Sequence, residues 1–323
     1  MRILDILWLS LEHCWLLARI RGIRPRGLCT SLAAPLLRRA SRWSNSWRQM
    51  GRVVTFFGIS VAMSGSLVVV GAAEKTVGSN FLQGAVYVFS CPTATTCTSG
   101  LALVTPNGAA EDLFGSSVAV FGSLVAVGAD GKTVGSNSQQ GAVYVFNCSS
   151  SICTQGVQLQ ASNGAAGDHF GASVSISGSL LVIGAFGASG STGAAWIFNC
   201  PSSSSCTQGS ELAGPSGSLV FGASVSISGT LVVVWAPQTY VGGNQDQGTA
   251  YIFSCPTASS CSQGYALAAS NGVDDTFGTS ISLSGSLVIV GATSGATASS
   301  GGPKGSAFLC YGRKLCPILF ELP

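Results

Sequence analysis

The sequence predicts an all-β fold made of repeated four-stranded sheets, and two features of its 323 residues carry that prediction. The chain contains 43 glycines and only 8% charged residues, a composition that disfavours helices because glycine loses the most backbone entropy in them. Aligned on itself, the chain shows one unit in five copies, each opening on Phe-Gly, at Phe57, Phe114, Phe170, Phe221 and Phe277. Each copy spans about 50 to 60 residues and carries four strand-like segments, which is the pattern of a β-propeller with five four-stranded blades.

The four strands of a blade follow from their residue patterns in order. The first, such as "SVSIS" at residues 173–177, alternates between serine and an apolar residue, as half-buried strands do. A short Gly-Ser turn predicts a hairpin, and the second strand, such as "LLVIGA", is apolar on both faces because it lies between neighbouring sheets. The third strand is "GAVYVF" or a variant of it, and the fourth is weaker, as in "VQLQAS" or "YALAAS".

The charges divide the chain into two regions. Residues 1–52 carry ten arginines against two carboxylates, whereas residues 53–323, the predicted propeller, are poor in charge. The arginines are scattered among Trp, Leu and Pro without the order of a groove-reading arm, so we expect no nucleic-acid partner. Asp5, Glu12 and His13 interrupt the apolar start, which disfavours a membrane span. This head is a poor secretion signal, a targeting arm or a segment joined in error, and the sequence leaves the three readings open.

Cysteines recur at one place in each repeat, on either side of a short loop between the third and fourth strands. Neighbouring antiparallel strands hold such cysteines at a distance that suits a disulfide, whereas zinc would need further ligands that each pair lacks. We therefore predict structural disulfides, which form in oxidising compartments and indicate an extracellular or cell-surface protein. The predicted pairs are Cys91–Cys97, Cys148–Cys153, Cys200–Cys206 and Cys255–Cys261, and the pairing of Cys14, Cys29, Cys310 and Cys316 stays open.

The Phe-Gly, Val-Gly-Ala and Gly-Ala-x-Tyr-x-Phe phrases together resemble the FG-GAP repeat, which is found in the β-propeller of integrin α subunits and in many secreted bacterial and protist proteins. The resemblance covers residues 54–310. It implies that the phenylalanine packs between blades and that the glycine lets strands approach closely. It also implies a binding role and, in many members, Ca²⁺ held in the loop after the second strand.

Those calcium loops are short of carboxylates here. Glu74, Asp130 and Asp246 stand alone in their loops, and Lys75 and Lys132 lie where a cation would be repelled. We therefore expect no cofactor and no metal, with Ca²⁺ as the less favoured alternative.

A second group of acids lies two residues before the Phe-Gly, at Asp112, Asp168 and Asp275. We expect these side chains to accept backbone N–H bonds as local caps, although a ligand role is the alternative. The acidic neighbours Glu111/Asp112 and Asp274/Asp275 are interpreted as exposed charge.

Catalytic residues are not evident in the sequence. His169 is expected to be a solvated loop residue, and no Gly-x-Ser-x-Gly elbow occurs. The stretch "AVGADGKT" at residues 126–133 matches a loose phosphate-loop pattern, but a loop and a strand follow it where a helix is required. We therefore expect no nucleotide site and no enzyme activity.

The sequence thus predicts a non-catalytic extracellular binding or adhesion module that contacts a protein or a glycan through its loops. The alternative is an accessory propeller of a larger secreted hydrolase. Five blades form either a closed ring, which would be monomeric, or an open arc with exposed edges, because the integrin propellers have seven. The segment "PILFEL" near the end is expected to be a degenerate fourth strand that packs before the first repeat.

Overall fold

The computed structural model describes residues 57–93, 96–98, 100–149, 152–214, 218–239, 248–267, 277–295, 304–311 and 318–321. For residues 277–279, 292–295, 304–311 and 318–321 it describes the backbone alone. The basic head and the acids Asp246, Asp274 and Asp275 lie outside the described residues.

Five four-stranded antiparallel sheets follow one another along the chain, each with its strands in sequence order. Blade 1 contains β1 (Ser60–Ser64), β2 (Leu67–Ala72), β3 (Ala85–Ser90) and β4 (Leu101–Leu103). Blade 2 contains β5 (Val118–Phe121), β6 (Leu124–Ala129), β7 (Ala142–Cys148) and β8 (Cys153–Leu159). Blade 3 contains β9 (Ser173–Ser177), β10 (Leu180–Ala185), β11 (Ala194–Ser202) and β12 (Ser205–Ala213).

Blade 4 contains β13 (Ser224–Ser228), β14 (Leu231–Ala236), β15 (Thr249–Thr257) and β16 (Ser260–Leu267). Blade 5 contains β17 (Phe277–Ser284), β18 (Leu287–Gly295), β19 (Lys304–Tyr311) and β20 (Ile318–Glu321). The last of these strands lies within the "PILFEL" segment and pairs with β19 as a fourth strand, as expected, but in the described part of the chain its sheet does not join blade 1. Within the described residues, helix is limited to one short turn at Ala188–Ser191, so the prediction of an all-β fold is confirmed.

Tight hairpins join the first and second strands of every blade. In blade 3, Ser177 pairs with Leu180, so that Gly178 and Ser179 form the turn. Gly178 has a φ of 62°, and the matching glycines of the other blades lie between 58° and 60°. A Cβ at Gly178 would meet no atom within 4 Å, so the backbone conformation, and not lack of space, requires glycine here.

The hydrophobic core lies between neighbouring sheets, where the second strands are almost wholly buried. A phenylalanine of the Phe-Gly pair fills each of the first three junctions: Phe114, Phe170 and Phe221 are all 0% exposed. Phe114 packs edge-on against Tyr144 and Phe146 of blade 2, at centroid distances of 5.6 and 6.1 Å. Full burial of a side chain of this size contributes about 1.5 to 3 kcal/mol. The expectation that this phenylalanine packs between blades is confirmed.

The Phe-Gly glycine brings two backbones into contact at the same junction. Its carbonyl in blade 2, Gly115 O, would lie only 2.1 Å from a Cβ at Gly71, the glycine of the Val-Gly-Ala phrase of blade 1. Any side chain at Gly71 would therefore push the blades apart. The same contact recurs between Gly128 and Gly171 and between Gly184 and Gly222, which explains the repeated Val-Gly-Ala.

The propeller is an open arc in this structure. The first strands contact each other in the order β1, β5, β9, β13 and β17, and in the described part of the chain the fifth sheet does not join the first. Of the two predicted shapes, ring and arc, the structure has the arc. No helix among the described residues has the length and apolar character needed to cross a membrane.

Candidate functional site

The two ends of the propeller carry different loops. Because the strands alternate in direction, the loops between second and third strands and those between blades share one end, which we call the loop face. The hairpins and the cysteine loops share the other end, which we call the disulfide face. A binding protein of this fold presents loops from a rigid scaffold, so both ends are candidate sites.

Amide side chains tie the loops of the loop face together. The Asn80 side chain donates to Gln83 Oε1 and to the Gly108 carbonyl, each at 2.9 Å. Asn137 makes the same pair of bonds one repeat later, to Gln140 and to Gly164. Our sequence interpretation missed these ties, although "SNFLQG" and "SNSQQG" repeat the Asn-x-x-Gln spacing that forms them.

A buried ion pair lies in the loops of blade 2 on this face. The Lys132 ammonium is 2.9 Å from Asp112 Oδ2 and donates to the Asn107 carbonyl at 3.2 Å. The Tyr144 hydroxyl donates to Asn107 Oδ1 at 3.3 Å. Burial, and secondarily the negative charge of Asp112, raise the pKa of Tyr144 far above its ordinary value. In this cluster the Lys132 ammonium neutralises the Asp112 carboxylate. That carboxylate is therefore already paired and is not free to bind a metal ion.

The position of Asp112 differs from one prediction, that of an exposed charge, and agrees with another, that of a local cap. Its side chain is buried, so the reading of Glu111 and Asp112 as exposed charge holds for Glu111 alone. Asp112 accepts the Ala109 N–H at 2.8 Å and Asp168 accepts the Ala165 N–H at 2.7 Å. The predicted local cap is thus confirmed at both aspartates, while Asp275 lies outside the described residues.

His169 lies in a loop, as expected, but its ring is packed against another side chain instead of being fully solvated. Its ring stacks on Phe186 at a centroid distance of 4.6 Å with an interplanar angle of 11°. Its Nδ1 lies 3.7 Å from Asp130 Oδ2, and 22% of the side chain is exposed. The aromatic partner comes from the loop after β10, a contact that the sequence around His169 does not reveal.

Metal and nucleotide sites find little support in these loops. Among the described residues, no group of three or more His, Cys, Asp or Glu side chains could hold a metal ion. Residues 126–133, which match the phosphate-loop pattern, form the end of β6 and a turn, and Lys132 is bound to Asp112. The other loop lysine, Lys75, donates to the Tyr87 hydroxyl and lies 4.9 Å above that ring.

Four disulfides close the cysteine loops of the disulfide face, with Cα separations of 4.0 to 4.1 Å. They join the pairs expected from the sequence: Cys91–Cys97, Cys148–Cys153, Cys200–Cys206 and Cys255–Cys261. Cys14, Cys29 and Cys316 lie outside the described residues, and Cys310 is described by its backbone alone.

Two of the cysteine loops dock on the preceding blade. The Val157 N–H donates to the Ser203 carbonyl at 2.8 Å, and the Ser210 N–H donates to the Ala258 carbonyl at 2.7 Å. A Cβ at Gly209 would lie 2.2 Å from the Ala258 oxygen, so glycine permits the contact. The repeated "CTQG" of β8 and β12 was the signal for this docking, and our sequence interpretation did not use it.

A cleft of about 420 Å³ opens beside this docked loop, between blades 3 and 4. Its polar lining is uncharged and includes Asn199, Thr207, Gln208, Thr257 and Ser259. Gln208 is held by Ser162, with bonds of 3.0 Å in both directions. The cleft therefore offers hydroxyl and amide groups, and no carboxylate, histidine, lysine or arginine lines it.

The comparison with known protein families agrees with the repeat pattern. The family described as FG-GAP repeat matches residues 52–89, 101–146 and 153–198. Among solved structures, the beta-propeller domain of the Trilobed protease from Pyrococcus furiosus, described as having an open velcro topology, is similar at 12% identity and a TM-score of 0.46. That similarity covers 83% of this chain and 72% of the other. No curated protein matches the sequence.

Proposed function

Residues 52–89, 101–146 and 153–198 match the FG-GAP repeat family, and on that premise we propose that the chain is a non-catalytic binding module that works outside the cell. Its ligand is a neutral glycan, held in the cleft between blades 3 and 4. The observation that carries this proposal is the uncharged hydroxyl- and amide-lined cleft on a rigid scaffold.

The chemistry of the lining favours a sugar over a charged ligand. Asn199 and Thr207 present an amide and a hydroxyl on the adjacent strands β11 and β12, where their residues pair directly. Amide and hydroxyl groups both donate and accept hydrogen bonds, as sugar hydroxyls do. A phosphate or carboxylate ligand would call for Arg or Lys, and none lines the cleft.

Disulfides and family support the extracellular part of the proposal. Short cysteine loops gain about 2 kcal/mol each from cross-linking by the chain-entropy estimate. That gain is lost where glutathione and thioredoxin keep thiols reduced. A fold with one such bond in each of its first four blades is suited to an oxidising environment.

Binding of the full-length chain to an array of neutral glycans tests this function. We expect retained glycans, and we expect Asn199→Leu to reduce their binding by about tenfold, because a buried sugar hydroxyl loses its partner. Asn163→Leu, an exposed change in the loop between blades 2 and 3 on the loop face, is the matched control and should leave binding unchanged. Absence of glycan binding, or equal binding by both variants, would refute the site.

A further inference from the structure

We propose that two copies of this chain associate head to tail, with blade 5 of one packing on blade 1 of the other in the way that successive blades pack within a chain. This association goes beyond the ligand-binding function. It rests on two kinds of contact that recur between successive blades, and on the faces of blades 5 and 1 that lack such contacts among the described residues.

The first part of each junction is a serine that reaches the next blade. Ser60, Ser117 and Ser173, each three residues after the phenylalanine of Phe-Gly, donate to the carbonyl of the next Phe-Gly glycine. The distances are 2.8, 2.6 and 2.8 Å. One serine hydroxyl thus links each of the first three pairs of successive blades.

The second part runs in the opposite direction, from backbone to serine. In the junction of blades 3 and 4, the N–H groups of Ile227 and Gly229 donate to Ser175 and Ser177 at 3.1 and 3.0 Å. In the next junction, Leu283 and Gly285 donate to Ser226 and Ser228 at the same two distances. The serines of the repeated "SVSIS" strands are therefore contacts between blades.

Blade 5 presents the serine half of this junction without a partner. Ser280, Ser282 and Ser284 occupy the positions of Ser224, Ser226 and Ser228 in β13. All three are exposed, and in the described part of the chain no following blade approaches Ser282 or Ser284. This strand keeps the full serine pattern, although no junction with a following blade is found among the described residues.

Blade 1 presents the other half. Val61 and Met63 of β1 are 47% and 69% exposed, whereas Val225 and Ile227, at the same positions of blade 4, are 7% and 6% exposed beneath the preceding blade. No serine among the described residues reaches the amides of Met63 and Gly65, which correspond to the donors Ile227 and Gly229. Blade 1 thus exposes the apolar side chains and N–H donors that a preceding blade covers elsewhere in the chain. The strand "SISLS" of blade 5 has the serine pattern that would cover them.

A second copy of the chain can pair the serine face of blade 5 with the apolar face of blade 1 without any change in the arc. The first three junctions share the same serine-to-carbonyl contact, and in the described part of the chain blades 5 and 1 of one chain do not meet. Closing the ring within one chain would change several tightly packed junctions at once. Another chain can dock with every junction unchanged, which makes a heterologous interface.

The test is sedimentation velocity of the full-length chain over a concentration series. We expect mass to rise with concentration, and we expect Met63→Lys and Ser282→Asp each to weaken association by about tenfold or more, because each buries an unpaired charge. Ile152→Lys, at a residue 63% exposed in blade 2, is the control and should associate normally. Since Met63 and Ser282 are exposed in the single chain, both variants should fold.

A mixture of the two variants distinguishes this interface from a symmetric one. Each variant keeps one intact end, so Met63→Lys chains and Ser282→Asp chains should form one-to-one dimers that neither forms alone. A chain that stays monomeric at every concentration, as it would if its own fifth blade or its head covered blade 1, overturns the proposal. So does a mixture that fails to associate.

Discussion

Lys132 and Asp112 form an ion pair at 2.9 Å in which 8% and 3% of the two side chains are exposed. The residues come from different loops, one after β6 and one between blades 1 and 2. Removing one member of such a pair leaves an unpaired buried charge, which destabilises proteins by about 3 to 5 kcal/mol. The pair therefore fixes both loops and makes them sensitive to substitution.

We predict that Lys132→Met lowers the free energy of unfolding by about 3 to 5 kcal/mol, measured by urea denaturation. Adding Asp112→Asn to that variant should recover part of the loss, because the unpaired charge is then removed. Glu111→Gln, at the exposed neighbouring acid, is the control and should change stability by less than about 0.5 kcal/mol. A loss of that small size in Lys132→Met would contradict the structural role of the pair.

The repeats and strands could be predicted from the sequence because their signals are local. The alternation of "SVSIS" and the recurrence of Phe-Gly fix which residues share a face and where each blade starts. The partners of Ser173 and Lys132 could not be predicted, because Gly222 and Asp112 are 49 and 20 positions away and meet them only once blades are packed. The same limit explains why the packing of the His169 ring was not predicted, since its partner Phe186 belongs to another loop.

We expect the free energy of unfolding to decrease at alkaline pH because of the ionisation of Tyr144. Its pKa is raised in the folded protein, so above the unfolded value of about 10 the unfolded chain releases this proton more readily than the folded chain. Its contribution is therefore complete below pH 10 and decreases as pH rises beyond it. Thermal unfolding between pH 9 and 11.5 should show a shallower decline for Tyr144→Phe than for the wild type. Tyr265→Phe, at a tyrosine 37% exposed, should follow the wild type.

Calcium is expected to stabilise this protein little. The described loops after the second strands hold at most one carboxylate each, and Lys132 in the loop of blade 2 already neutralises Asp112, whereas Ca²⁺ requires six to eight oxygen ligands. Melting temperatures with millimolar Ca²⁺ and with a chelator should agree within about 1 °C, because a ligand that does not bind the folded state cannot shift unfolding. A large rise with Ca²⁺ would show that carbonyl oxygens form the site.

The serines between blades should each contribute measurable stability. Ser173→Ala removes the hydroxyl that bonds Gly222 O at 2.8 Å, and a hydrogen bond of this kind contributes about 0.5 to 1.5 kcal/mol. Ser282→Ala, at the matching type of strand in blade 5, removes an exposed hydroxyl and is the control. Chemical denaturation at a concentration low enough to keep the chain monomeric should therefore separate the two variants, and equal stability would contradict the junction described here.

The disulfides are expected to differ in what they stabilise. The loop closed by Cys255–Cys261 carries Ala258, whose carbonyl accepts the Ser210 N–H of blade 3 at 2.7 Å. Replacing both cysteines by alanine should remove the cross-link, worth about 2 kcal/mol, and also loosen the docking of blade 4 on blade 3. The Cys91–Cys97 loop belongs to blade 1, which no described blade precedes, so the same change there should cost the cross-link alone.

Amide hydrogen exchange at Ser210 distinguishes the two effects: it should quicken in the Cys255→Ala, Cys261→Ala variant and stay slow in the Cys91→Ala, Cys97→Ala variant. Slow exchange at Ser210 in both would show that the docking does not depend on the disulfide.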